Sequence, residues 1–269
     1  MRSEVLPAGT HVERHDAGQR ARTADKYFLV MSLVLLVIVL IGFWRTLFLR
    51  PFFKVPEIPW FVYVHGAILA AWIALLVTQT SLIAAHRPDL HRRLGMLGAF
   101  LAVAVALSAL QLTLTIPSLV QNRVPSPNGQ PLPFAIAYRI MWGNFGSILL
   151  FATLVPTALW MRRRTEVHRR LMLLASFALM GPATGRMYGF PELWGITESA
   201  PMITAIFHAL PLISALGLPL TLVAHDLWTM RRLNPATIWG VVATLATGAA
   251  FNAGIPATPV AHTIWDALL

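Results

Sequence analysis

Long apolar stretches alternate with short polar turns from residue 27 almost to the end of the chain. Several stretches contain about 20 apolar residues, the length that a helix needs to cross a bilayer. None shows the period-two alternation over about ten residues that is typical of a transmembrane β-strand. The pattern predicts an all-α polytopic membrane bundle of about seven transmembrane helices with a duplicated helical hairpin. The predicted spans are 27–44, 59–85, 94–116, 134–161, 171–187, 201–228 and 238–251.

Two predicted spans are weaker than the others, and both ends of the chain are polar. Span five is short and is interrupted by Gly181-Pro182, and span seven is rich in alanine and glycine. Residues 1–26 carry charges of both signs without an apolar period, which predicts a cytoplasmic polar tail. The prediction thus divides the chain into this tail, a helical bundle over 27–254 and a C-terminal tail over 255–269.

The composition agrees with a membrane protein and narrows its chemistry. Charged residues make up 12% of the chain, whereas soluble domains contain about 25%. The formal net charge of +10 comes from arginines in the turns between spans. The positive-inside rule accounts for these arginines without a nucleic-acid partner. The lack of cysteine excludes a thiolate nucleophile, a disulfide framework and a cysteine-ligated metal.

The arginines also predict the topology. Basic residues concentrate in the N-terminal segment and in the turns 86–93, 162–170 and 231–232. These fall on one side of a seven-span bundle, and the loops 117–133 and 188–200 on the other side hold only one basic residue. The rule then places the N-terminus in the cytoplasm and the C-terminus outside, in a bacterial inner membrane. The basic loop 45–57 does not follow the positive-inside rule, because this topology places it outside.

Polar and ionisable side chains recur at one depth in five consecutive predicted spans. Such groups are costly in hydrocarbon, so we expect them to face the bundle interior and each other. We therefore predict a polar pocket that opens toward the outer face. The alternative is that the arginines extend to the interface and each histidine bonds a backbone carbonyl. The residues concerned are His65, Gln111, Arg139, Asn144, Arg186 and His208.

Two histidines on different helices at similar depth are what a six-coordinate haem b requires. His65 and His208 are the predicted axial metal ligands, and Arg139 and Arg186 would then pair with the haem propionates. The chain contains no CxxCH, which excludes covalent c-type attachment. A quinone or an anionic lipid would use the same arginines and histidines as hydrogen-bond donors, so both remain alternative ligands.

A short phrase occurs twice, as LHRRL at 90–94 and as VHRRL at 167–171. His91 and His168 hold equivalent positions, and Asp89 and Thr165 are the predicted N-caps of the helices that follow. The two histidines belong to an inner set with His86 and His225. The inner histidines are expected to cap or stack at the surface, and a second haem or metal site that they hold is the alternative. The arginines expected to lie at lipid headgroups are Arg92, Arg93, Arg169 and Arg170.

Several of these motifs together resemble an uncharacterised family of bacterial membrane proteins. In that family a hairpin beginning with His-Gly leads to an HRxLG turn, and a later HRxxM turn opens another span. The family is itself similar in plan to transmembrane b-type cytochromes with four core helices. The matching motifs are His65-Gly66, Gln79, LHRRLG at 90–95 and HRRLM at 168–172.

The resemblance covers 60–187 and implies four candidate haem ligands. Span four departs from the pattern, with Trp142 and Asn144 near the place where span two has His65. The implied ligands are His65, His91, His168 and His208.

Three functions remain open at this point. The first is haem-b or quinone-linked electron transfer through the outer pocket. The second is a non-catalytic subunit or assembly factor of a larger membrane complex, held through small-residue helix faces. The third is a lipid or small-molecule transporter, which the break at Gly181-Pro182 favours because broken helices often line substrate sites. The expected partners are the lipid bilayer and subunits of such a complex.

Overall fold

The computed structural model describes residues 9–53, 57–123 and 133–269, and in these ranges it contains helices and no strand. In hydrocarbon each backbone N–H and C=O must be bonded within the protein, and a helix meets that requirement within one segment. The all-α prediction is confirmed. The helices are Gly9–Phe43 (α1), Trp60–Ala84 (α2), Pro88–Leu114 (α3), Ile116–Gln121 (α4), Phe134–Trp160 (α5), Thr165–Ala178 (α6), Gly181–Met187 (α7), Phe190–Trp194 (α8), Pro201–Met230 (α9), Pro235–Ala249 (α10) and Pro259–Ala267 (α11).

Six helical segments of the described chain are long and apolar enough to cross a membrane. Their outward faces carry large exposed apolar side chains, such as Phe100 on α3 and Trp228 on α9. The chain is therefore compatible with an integral, multi-pass membrane protein that contacts lipid. The segments are Asp25–Phe48, Trp60–Ala84, Pro88–Gln121, Phe134–Trp160, Pro201–Met230 and Pro235–Ala257.

The predicted span five is two short helices, α6 and α7, rather than one. Pro182 lies in the first turn of α7, and a proline there cannot continue the hydrogen-bond ladder of the preceding helix. The amides of Leu179 and Met180 bond carbonyls three residues earlier, so the last turn of α6 tightens before the break. The sequence signal at Gly181-Pro182 therefore marks a real interruption.

The α6–α7 pair runs through the middle of the bundle. Leu174 and Ala175 are completely buried. One end of α6 is bonded to Asp226 near the end of α9, and α7 meets Gly42 near the other end of the first span. Glycine is needed at that crossing because a Cβ on residue 42 would collide with the backbone of Ala183. The pair thus reaches from one end of the bundle to the other.

The two helical hairpins, α2–α3 and α5–α6, pack around one core. Trp72 of α2 is 2% exposed, and its ring lies edge-on to Phe151 of α5 with centroids 5.0 Å apart. Its Nε1 donates a hydrogen bond to Oγ of Ser176 on α6 at 3.2 Å. A bond between the hydroxyls of Ser32 and Thr80, at 2.8 Å, joins α1 to α2. These buried polar contacts help to specify how the helices align.

Both ends of the chain are helical where the sequence predicted polar tails. Residues 9–26 extend α1 without a break into the first span, and residues 1–8 lie outside the described part. At the C-terminus, α11 buries Ala261 and Trp265 against α5, where Tyr138 also stacks on His262 with centroids 5.0 Å apart. The four-residue spacing of Ala261 and Trp265 gives this short helix one apolar face, which explains its packing.

The predicted N-caps Asp89 and Thr165 are wrong. Helix α3 begins at Pro88 and α6 begins at Thr165, so Arg87 and Arg164 hold the cap positions without a side-chain cap bond. Proline favours the first helical position because it lacks the N–H that would be unbonded there. Asp89 instead lies in the first turn of α3, where its charge favours the helix dipole.

Candidate functional site

Contacts among three arginine-rich turns define one end of the bundle, which we call the basic face: residues 86–93, 162–170 and 231–232. The first turn of α3 meets that of α6 through His91 and His168. Helix α6 is bonded to the end of α9 through Arg170 and Asp226. The three turns therefore share one end, as their arginines predicted, and the side of the membrane they occupy stays a prediction.

His91 and His168, the equivalent histidines of the repeat, face each other across the basic face. Their ring centroids are 6.3 Å apart and their planes are 85° apart. Both rings are half-buried, and each histidine is the fourth residue of its helix. Two imidazoles joined by a direct hydrogen bond would have centroids roughly 5 Å apart. The observed separation is wider, so the two rings are not joined by a direct hydrogen bond.

The two rings have different surroundings. A hydrogen bond fixes the ring of His168, whereas buried polar atoms at His91 have no hydrogen-bond partner among the described residues. Nδ1 of His168 donates to the carbonyl oxygen of Ala158 at 2.8 Å, so Nε2 of the neutral ring carries the free lone pair. Nδ1 of His91 and Oε1 of Gln79 are buried and have no hydrogen-bond partner among the described residues. Gln79 packs against Gly95, about one helical turn from His91. Such unbonded buried atoms are rare in folded proteins and call for a ligand or a water.

The histidine pair does not extend into a larger ligand cluster. Within the described ranges, no group of three or more His, Asp or Glu side chains is placed to hold a metal ion. A zinc ion takes four ligands, so two imidazoles alone do not make such a site. A haem iron, by contrast, brings four nitrogens of its own and would need only two further ligands from the protein.

Part of the predicted outer pocket lies around α7 at the other end of the bundle, which we call the opposite face. His65 of α2 shares a hydrogen bond with Ser108 of α3, Nδ1 to Oγ, at 3.1 Å. The Arg186 guanidinium lies over the ring of Phe43 at 4.3 Å and donates to the carbonyl oxygen of Pro182 at 2.8 Å. Gly66, the residue after His65, packs against Leu47, which follows Phe43 by about one helical turn. The structure thus brings these two predicted residues into one neighbourhood.

The other predicted pocket residues are placed differently. His208 of α9 stacks on Tyr188, two residues beyond Arg186, with ring centroids 4.1 Å apart. Gln111 and Arg139 are exposed on α3 and α5, and Asn144 is half-buried on α5. A cavity of about 530 Å³ at the opposite face lies between the end of the first span and the start of α2, and none of the predicted residues lines it.

A buried ion pair that the sequence did not predict joins α6 to α9. Arg170 and Asp226 are 1% and 0% exposed, and Nη2 donates to Oδ1 at 2.5 Å. The second carboxylate oxygen accepts from Oγ1 of Thr237 at 2.5 Å and from the backbone N–H of Asn234 at 3.1 Å. Glu166 accepts from Nη1 of Arg170 at 2.5 Å. A buried pair is tolerated when its remaining donors and acceptors are bonded in this way.

Arg169 extends this network to α1. It pairs with Asp25 at 3.2 Å, and its guanidinium lies over the ring of Phe28 at 4.7 Å. Nearby, Tyr27 stacks on His225 with ring centroids 4.0 Å apart. Charges and stacked rings therefore tie α1, α6 and α9 together at the basic face, and we assign this network a structural role.

The expectation that Arg170 lies at lipid headgroups is wrong, because α9 and α10 cover it. One feature of the sequence does indicate that Asp226 has a cationic partner. Asp226 directly follows a long apolar stretch, where an acid is rare and needs a cation. Nothing in the sequence selects Arg170 over the other arginines of the basic face, since the choice depends on how α6 and α9 pack.

Comparison with known proteins gives no match for this chain: no family model, no curated protein and no solved structure is similar to it at a significant level.

Proposed function

We propose that this chain is an integral membrane protein that binds haem b and passes electrons, with His91 and His168 as axial ligands. The 6.3 Å separation of their ring centroids carries the proposal. Two imidazoles bound on opposite sides of one metal ion, at bond lengths of about 2 Å, would have centroids roughly 6 Å apart. When bound, haem b supplies a one-electron couple whose potential depends on its axial ligands.

The hydrogen bond from His168 to Ala158 supports the same assignment. Histidines that bind metals usually donate their other ring N–H to a carbonyl or carboxylate, which fixes the tautomer and the ring orientation. The motif resemblance to b-type cytochromes points the same way. The cavity at the opposite face is lined by other residues, so it takes no part in this proposal.

Absorption spectroscopy of the full chain, purified in mild detergent after expression with ample haem, tests the proposal. We expect a Soret band that shifts on reduction with dithionite, together with sharp α and β bands. His91→Ala or His168→Ala should remove these bands, whereas His86→Ala, at an exposed neighbouring position, should keep them. A flat visible spectrum of the unmodified chain would overturn the haem proposal.

The same spectra separate the two candidate histidine pairs. Loss of the bands in His65→Ala or His208→Ala alone would move the axial ligands to the opposite face. A colourless protein that copurifies with other membrane proteins would favour the subunit or assembly-factor alternative.

A quinone at the opposite face is a second candidate, favoured by one observation. Nε of Arg186 is buried and has no hydrogen-bond partner among the described residues, so it can donate to a quinone carbonyl. His65 lies in the same neighbourhood. Extraction of the purified chain with organic solvent should then recover quinone, and Arg186→Gln should lower the recovered amount. Equal recovery from both proteins would contradict this site.

A further inference from the structure

Five arginines near the His91–His168 contact have no carboxylate partner among the side chains that the structure describes. All are exposed, and none forms an ion pair with another described side chain. Two directly follow His91 in α3, and three form the turn just before α6, within two helical turns of His168. The ring contact therefore brings both groups to one surface, which we call the arginine patch. It consists of Arg92, Arg93, Arg162, Arg163 and Arg164.

Two further arginines of the turn 162–170 differ from the arginine patch because they have acidic partners. Arg169 and Arg170 are paired with Asp25, Glu166 and Asp226. The other acid of the basic face, Asp89, pairs with Arg87 at 3.7 Å. Among the side chains that the structure describes, the acids near the basic face therefore pair with other arginines, and the arginine patch keeps its positive charge.

The apolar surface beside the patch indicates where a complementary anion resides. Trp160, 83% exposed, ends α5 just before the patch, and Met96 and Phe100, 67% and 77% exposed, follow it on α3. Exposed tryptophan next to arginine is typical of the level of lipid headgroups. An anion at this boundary has its charged group at the patch and its apolar part along α3 and α5.

We propose that the arginine patch is a binding site for the phosphate of an anionic phospholipid. Guanidinium groups bind phosphate oxygens in pairs, which gives arginine an advantage over lysine at such sites. Each basic residue near a membrane surface strengthens binding of anionic lipid by about 1 kcal/mol, or roughly fivefold. This site does not depend on the haem proposal, because the patch arginines are exposed whether or not the histidines bind a ligand.

Quenching of Trp160 fluorescence by brominated lipids tests the site in the full chain. Brominated phosphatidylglycerol or phosphatidylcholine is added to protein in mild detergent, and Trp160→Phe identifies the signal of that residue. We expect phosphatidylglycerol to reach half-quenching at a mole fraction at least about tenfold lower than phosphatidylcholine. The triple variant R162Q/R163Q/R164Q should lose this preference. Equal quenching by both lipids would overturn the proposal.

The variant R231Q/R232Q is the matched control, since it removes exposed arginines from another turn of the basic face. It should keep the Trp160 preference, and an equal loss would show general attraction rather than a site. Millimolar inorganic phosphate should leave the preference unchanged, whereas displacement of the lipid would assign the patch to a soluble phosphate. Equal thermal midpoints in zwitterionic micelles would establish that the variants fold.

Discussion

The two copies of the HRRL phrase share a sequence and differ in environment. In the first, Arg93 is exposed, and Asp89 forms a surface pair with Arg87 at 3.7 Å. In the second, Arg170 is 1% exposed and is bonded to Asp226, which is fully buried. Helix α6 is covered by α9 and α10, whereas α3 packs on α2 and α5.

This difference shows that a repeated motif does not carry a fixed role. The same arginine is a surface charge in one copy and half of a buried ion pair in the other, and a helix outside the repeat decides which. The histidine two residues before that arginine keeps its position in both copies, so the two imidazoles meet. Four experiments on the two hairpins and their turns test this account, beginning with the largest expected effect.

Removal of the buried acid should distinguish the copies most strongly. Asp226→Ala leaves Arg170 buried without its carboxylate, which should lower the free energy of unfolding by about 3–5 kcal/mol. Asp89→Ala breaks an exposed pair and should cost less than about 1 kcal/mol. Unfolding in mixed detergent and SDS micelles measures both. Equal effects would show that Asp226 is not buried with its partner.

Substitution of the equivalent arginines should give a smaller but similar contrast. Arg170→Met removes the cation and leaves Asp226 unpaired, at a cost of about 3 kcal/mol in unfolding free energy. Arg93→Met changes an exposed side chain and should stay within about 0.5 kcal/mol. The double variant R170M/D226L should recover most of the lost stability, because a matched apolar pair replaces the ions. Failure to recover would assign the arginine a further role.

Two buried tryptophans of the hairpins should differ by about 1 kcal/mol. Trp72→Phe removes the hydrogen bond to Ser176. Trp142→Phe removes an Nε1 that is buried without a partner among the described residues, so it should cost less. The same micelle unfolding assay gives the comparison. A greater cost at Trp142 would reveal a partner for its N–H, such as a bound water or ligand.

A low pH should destabilise the fold at the second copy of the phrase, because Glu166 becomes protonated. Burial opposes its ionisation, but the bonds and charges of Arg170 and Arg169 outweigh burial and hold the pKa of this carboxyl below its ordinary value of 4.5. Glu166 therefore stabilises the fold above pH 4.5, and that contribution is lost as the pH falls through the lowered pKa. Between pH 6 and pH 3, Glu166→Gln should lose less stability than the unmodified chain. An identical loss would contradict this role.

The sequence predicted the features that depend on local pattern. The length of the apolar stretches predicted the helices, and Gly181-Pro182 predicted the break in span five. The arginines predicted that the three turns lie at one end of the bundle. The features set by packing between distant helices were not predictable. The position of Arg170 depends on α9 and α10, and the apolar side of α11 packs on Phe134 and Tyr138 of α5.

The order of synthesis gives the Arg170–Asp226 pair a consequence of its own. The arginine is made 56 residues before the aspartate, which corresponds to roughly 3 to 11 seconds of translation at about 5–20 residues per second. During that interval α6 is too short and too charged to be stable in lipid alone. Until α9 has been made, Arg170 has no Asp226 to pair with, so this buried ion pair can close only after α9 joins the bundle.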